Sequence, residues 1–334
     1  MRLMRCVVLL LCVGVGGSTA LAMGQSTSGT AAQAAGPAVD QAIDPGLNIH
    51  TVELWPGGAP GQNGNEPKDV PAVTVFAPRT RRPNSPAVIV APGGSYVMLA
   101  ADLEGREVGD WFAERGITAF VLRYRMGEKY QYPIPLEDAQ RAVRYVRANA
   151  AKYRIDPDRI GIMGFSAGGH LAALESVSAE TADVNAADPI DKASSKPDFV
   201  VLGYPWLNAM VPNTQGLITY CATTPMVKTV PQDKCKEFET KYSPVRYVTS
   251  TTPPTFLYIT SDDKTVDVQA SIDYFEAMRS AKASIEFHSF AHGSHGSGLG
   301  SGDPALDLWP TLLDAWLRGQ GFLGAARRVT VNLQ

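Results

Sequence analysis

Apolar, β-branched runs recur along the chain at Val73 to Ala77, Ala87 to Ala91, Ile117 to Leu122, Ile160 to Phe165, Phe199 to Gly203, Pro254 to Ile259 and Ser284 to Phe290. Short, nearly continuous hydrophobic stretches of this kind suit strands covered on both faces, where no polar alternation is needed. Between them the period changes to that of helices: Glu104 to Arg115, Glu137 to Lys152 with Ala139, Ala142, Val143 and Val146 on one side, Val268 to Ala281, and Leu306 to Arg318. The small-residue stretch Ala167 to Glu175 reads as a further helix able to lie close under a sheet. Strand and helix in alternation predict an α/β fold with a mostly parallel, doubly wound sheet.

Two segments break that rhythm. Residues Pro205 to Thr252 are proline-rich, hold two cysteines and show no strong period. A stretch this long without a pattern is expected to be an insertion over the carboxyl edge of the sheet, a lid or substrate wall, with a structural crossover as the alternative. At the other break, Arg2 and Arg5 precede an apolar stretch from Val7 to Val15 and then Ala20-Leu21-Ala22. That order is a secretory signal peptide, residues 1–22, cleaved after Ala22; the apolar stretch is well short of the roughly 20 residues a membrane span needs. Residues 23–45, rich in Gly, Ala, Ser, Thr and Gln, are expected to form a flexible leader. Residues 46–334 are then one catalytic-sized domain, periplasmic or secreted.

The net charge of −3, with signs interspersed, provides no basic field for nucleic acid, and after signal cleavage nothing is apolar enough for a membrane. Of four cysteines, Cys6 and Cys12 leave with the signal peptide. Cys221 and Cys235 remain as an even pair in an oxidising compartment, which predicts a disulfide; no His or Cys pair stands near enough to complete a metal site.

The candidate chemistry begins at Gly164-Phe165-Ser166-Ala167-Gly168, the one serine between two glycines at this spacing. It follows a strand and opens a helix. Such a turn forces the serine into a strained backbone, with its hydroxyl at the carboxyl edge of the sheet, and tolerates almost no side chain two residues to either side. Serine needs a base oriented by an acid, in the chain order serine, acid, histidine. Of five histidines, only His288, His292 and His295 lie late enough. His288 falls within a strand, so the glycine-rich loop Gly293-Ser294-His295-Gly296 makes His295 the expected base, with His292 as the alternative. The acid is expected after the strand ending at Ile259, at Asp263, with its neighbour Asp262 as the alternative. Charge developing on a carbonyl oxygen requires preorganised donors. Pro92-Gly93-Gly94-Ser95-Tyr96 follows the strand at Ala87 to Ala91, so the backbone N–H groups of Gly94, Ser95 and Ala167 are the expected oxyanion hole.

With these residues in order, the chain from Val52 to Phe322 resembles the acetylxylan-esterase-like carbohydrate esterases of the α/β-hydrolase fold, and more distantly the hormone-sensitive-lipase-type esterases. The resemblance rests on Leu54-Trp55-Pro56 with Ala59-Pro60-Gly61, Pro92 to Tyr96, Leu103-Glu104-Gly105, Gly164 to His170, Tyr242-Ser243-Pro244, Pro253 to Asp263 and Gly293 to Gly296. It implies removal of short acyl groups from sugar hydroxyls without metal or cofactor, an acylated carbohydrate as partner, and triad roles for Ser166, Asp263 and His295. Two positions depart from the pattern. Ser95 replaces a third glycine, and Asp267 replaces a proline after Val266, which implies a less rigid acid loop. His170 is expected to be a buried hydrogen-bonder. Trp55 and Tyr96 are candidates to stack on sugar faces, or alternatively to pack in the core.

Three function classes are compatible with the elbow. A secreted acetyl esterase leads, and feruloyl or general carboxylesterase chemistry is an alternative because fold alone does not separate acyl groups. A prolyl-oligopeptidase-like peptidase shares the triad but expects a propeller, and no repeat of that period is present. A catalytically inactive binding module expects a missing triad member, and none is missing.

Overall fold

The computed structural model describes residues 49–324 apart from Arg81, Glu128 and 208–239. Its sheet contains β1 (Ile49–Glu53), β2 (Ala72–Phe76), β3 (Ser85–Ala91), β4 (Thr118–Arg123), β5 (Ile155–Phe165), β6 (Phe199–Gly203), β7 (Thr255–Thr260) and β8 (Ile285–Phe290). These lie in the order β1-β2-β4-β3-β5-β6-β7-β8. β2 runs antiparallel to both β1 and β4; every other pairing is parallel. Central strands β3, β6 and β7 are buried almost throughout and β5 from Ile160 onward, where their apolar runs are unbroken, whereas edge strand β8 is half-buried.

The helices are α1 (Glu107–Glu114), α2 (Ile134–Ala148), α3 (Ala150–Tyr153), α4 (Ser166–Ser178), α5 (Val268–Ser280) and α6 (Trp309–Gly319). The chain steps one way from β3 to β4 through α1, and the other way from β4 to β5 through α2. Right-handed crossovers therefore place α1 opposite α2, α4 and α5. Trp309 of α6 joins the α1 side, meeting Trp111 and stacking on Tyr258 of β7 with centroids 4.5 Å apart.

Reversal of direction between β3 and β5 creates a crevice at the carboxyl edge, the usual ligand position in an open α/β sheet. Register brings the expected site loops there. Ala91 lies opposite Gly164, Phe165 opposite Gly203, Gly203 opposite Tyr258, and Thr260 opposite Phe290.

The structure adds or shifts several elements. β1 is an unexpected edge strand. The expected helix at Glu104 begins instead as a π-helical turn, Asp102–Arg106, before α1. Of the expected insertion, Pro205 to Leu207 and residues 240–252 are described, the latter including a short 3₁₀ turn at Pro244–Tyr247. Signal peptide, leader and the Cys221–Cys235 pair lie outside the described residues.

Candidate active site

β5 ends at Phe165 and α4 starts at Ser166, whose φ is +51°. That left-handed conformation is costly for a residue with a Cβ and persists only where the surroundings impose it. The surroundings here leave no space: a Cβ on Gly164 would lie 2.0 Å from the Gly168 carbonyl oxygen, and one on Gly168 would lie 2.1 Å from that of Ala91. The glycines thus let α4 start hard against the ends of β5 and β3.

Ser166 Oγ is 2.9 Å from Nε2 of His295, and Nδ1 of that ring is 2.8 Å from Oδ2 of Asp263. With the ring proton on Nδ1, His295 donates to Asp263 and accepts from the Ser166 hydroxyl. The other Asp263 oxygen accepts from the N–H groups of Thr265 and Val266 at 2.8 and 3.1 Å. The Asp263 side chain is fully buried, and His295 is 16% exposed. Asp262 faces the other way. Its carboxylate accepts from Gly293 N–H and lies 3.1 Å from Nδ1 of His292, whose side chain is 87% exposed. His288 pairs with Glu286 on β8, 2.8 Å away. Geometry therefore brings Ser166, His295 and Asp263 together and leaves Asp262, His292 and His288 outside the chain of bonds.

Gly93 lies directly beside the serine: a Cβ there would be 3.0 Å from Ser166 Cβ. The loop continues with Gly94 at φ +128°, Ser95 at +57° and Tyr96 at +57°. Gly94 accepts at its carbonyl from the N–H groups of Val97 and Met98. Its own N–H and that of Ser95 have no acceptor among the described residues. Ser95 thus occupies the glycine-like conformation in spite of its side chain.

Tyr96 does not present its ring to solvent. It is 3% exposed, and its hydroxyl lies 2.8 Å from Nδ1 of His170 and 2.7 Å from the Tyr132 hydroxyl. Packing therefore prevails over sugar stacking at Tyr96. His170 Nε2–H donates to the Tyr242 carbonyl at 2.7 Å, and burial pushes the imidazole down to about 4, so the ring is neutral. Trp55 is half-buried against the guanidinium groups of Arg141 and Arg125. Arg125 forms a fully buried pair with Asp138 at 2.7 Å. Asp267, in place of the proline, is the N-cap of α5 and accepts from Gln269 N–H. A capping bond thus stiffens the end of the acid loop that its sequence left looser.

Residues that the sequence reading did not assign surround the serine. Trp206 N–H donates to the Ser166 carbonyl at 2.9 Å. Tyr204 sets its ring edgewise to His295, with centroids 4.9 Å apart. Glu104, buried behind the glycine loop, accepts from Tyr204 and from Gly93 N–H. Burial pushes its carboxyl up from the ordinary range, opposed by those two donors and by His295. Only the Leu103-Glu104-Gly105 motif hinted at it. A cleft of about 1170 Å³ lined by Arg79, Arg82, Arg115 and Arg159 lies at the opposite, amino edge of the sheet.

A mostly parallel sheet with a serine elbow, a histidine and an acid at its carboxyl edge defines an α/β-hydrolase. The chain belongs to the BD-FAE family, whose model matches residues 73–278. It is similar to an acetylxylan esterase from Xylanibacter ruminicola, 31% identical over 242 residues, which are 71% of this chain and 46% of that protein. It is also similar to endo-1,4-beta-xylanase B from Butyrivibrio fibrisolvens, 35% identical over 213 residues, 63% of this chain and 32% of that one. The chain thus spans less than half of the length of these curated relatives. Among solved structures it resembles an acetyl ester-xyloside bifunctional hydrolase from Caldicellulosiruptor lactoaceticus. The TM-score is 0.71 at 34% identity, covering 82% of this chain and 97% of the other. The chain is accordingly acetylxylan-esterase-like, as its motifs imply.

Proposed function

We propose that this protein is an exported serine esterase that removes short acyl groups, acetyl foremost, from carbohydrates such as xylan. The observation that carries the reading is the bonded series Asp263, His295, Ser166 on a strained elbow. In this reading Ser166 Oγ attacks the acyl carbon while its proton moves to His295 Nε2. Asp263 holds the Nδ1–H and stabilises the imidazolium. The carbonyl oxygen takes up negative charge facing the N–H groups of Gly94, Ser95 and Ala167. The imidazolium then protonates the departing sugar oxygen, leaving an acyl-enzyme. Water activated by His295 releases the acid by the same steps.

The acyl and glycan preferences draw support from relatives named for acetylxylan and acetyl ester-xyloside hydrolysis. The test is hydrolysis of p-nitrophenyl acetate, butyrate and octanoate, with acetate release from acetylated xylan, by wild type and Ser166→Ala. We expect acetate to be preferred, xylan to be deacetylated, and kcat to fall at least about 10⁴-fold in the variant. Wild-type silence on short esters, or an active variant, overturns the reading. Export predicts a mature protein beginning at Met23 outside the cytoplasm; an uncleaved intracellular chain on N-terminal sequencing would refute that part.

A further inference from the structure

Glu104 is 3% exposed, lies in the π-helical turn before α1, and touches neither Ser166 nor His295 through a hydrogen bond. Its two oxygens nevertheless hold both halves of the site. Oε2 accepts from Gly93 N–H at 2.7 Å, on the residue next to the proposed donor Gly94. Oε1 accepts from the Tyr204 hydroxyl at 2.8 Å. That hydroxyl accepts in turn from Gly298 N–H at 2.9 Å, three residues beyond His295. The carbonyl of Gly298 accepts from Tyr258 and Trp309, each at 3.2 Å, so the histidine loop is held at both backbone polar groups of one residue. Tyr124, donating to the Pro92 carbonyl at 2.8 Å, holds the glycine loop from the far side.

We infer that Glu104 is a positioning residue that sets the oxyanion loop and the histidine loop relative to one another through a single buried carboxylate. The inference rests on the esterase reading and specifies how that site is held in register. Glu104 accepts at both of its oxygens, and both of its partners are donors, an arrangement that a carboxylate satisfies. Glutamine has nearly the same shape but offers one acceptor and an NH₂ group. In Glu104→Gln either Gly93 N–H faces the NH₂ group, or the Tyr204 hydroxyl accepts from that group and its own proton loses its buried acceptor. The loop on that side then shifts, and displacement of about 1 Å at a reacting centre can cost on the order of 100-fold. Substrate binding away from the oxyanion loop is unaffected, so the loss falls on kcat.

The experiment measures kcat and KM for p-nitrophenyl acetate in wild type, Glu104→Gln, Tyr204→Phe and the double variant, with urea midpoints to establish folding. The expected result is a kcat lower by about 10- to 100-fold in Glu104→Gln with KM within about twofold. Tyr204→Phe is expected to lose less, and the double variant to match Glu104→Gln within about threefold, because both substitutions open one network. A Glu104→Gln kcat within about threefold of wild type, a change confined to KM, or additive losses would each overturn the inference. If Glu104→Gln does not fold, Tyr204→Phe decides, since it preserves the ring packing and an unchanged kcat overturns the inference. A wild type that hydrolyses no ester overturns the esterase reading itself; an active wild type with an indifferent Glu104→Gln overturns only the positioning role.

Discussion

Two aspartate–histidine pairs sit side by side at the carboxyl edge of this sheet. Asp263 and His295 are enclosed, with the acid fully buried and both of its oxygens bonded. Asp262 and His292 are built from the same side chains one and three residues away, yet the histidine is almost fully exposed. In the first pair the imidazole is held by its Nδ1 and presents Nε2 to a serine; in the second, Nε2 meets no partner among the described residues. Residue identity is equal in the two pairs, so the chemistry resides in enclosure and direction. An exposed ion pair gains little, because water and salt screen it.

The largest expected effect tests that difference directly. Asp263→Asn leaves the packing but allows His295 the wrong tautomer, and kcat for p-nitrophenyl acetate should fall about 10⁴-fold. Asp262→Asn should stay within about fivefold of wild type, as an exposed pair would. Equal losses in the two variants would dissolve the distinction.

His170 sharpens the comparison from another side, because it is buried with no acid partner. Its folded value of about 4 lies below the ordinary 6.5, so between those two values the unfolded chain takes up a proton that the folded chain refuses. This group's contribution is therefore complete above pH 6.5 and declines as pH falls toward 4, by about 3 kcal/mol in all. Urea unfolding across that range should show the decline in wild type and a flatter profile in His170→Asn. Parallel profiles would assign the slope to other groups.

Much of this was legible along the chain because it is local. Continuous apolar runs identify buried strands, and Gly164-Phe165-Ser166-Ala167-Gly168 announces its own backbone. The choice between Asp262 and Asp263 is different: both occupy one loop, and they are told apart by the donors they meet, Thr265 and Val266 N–H for Asp263 and the distant Gly293 N–H for Asp262. β1 escaped notice because its half-buried Ile49-His50-Thr51-Val52-Glu53 lacks the apolar run of a central strand. The bond from Tyr204 to Glu104 spans 100 residues, so no local pattern encodes it. Ser95 and Asp267 show the converse, where a departure from the family's residue changes little because the fold provides the same conformation or an equivalent bond.

Trp206 N–H is tied to the Ser166 carbonyl, and the Tyr242 carbonyl to His170. The chain between β6 and β7 therefore departs from and returns to points four residues apart on the same helix. Those two bonds fasten the connection by its roots to the first turn of the nucleophile's helix, so a substitution that moves either root is transmitted to Ser166 itself.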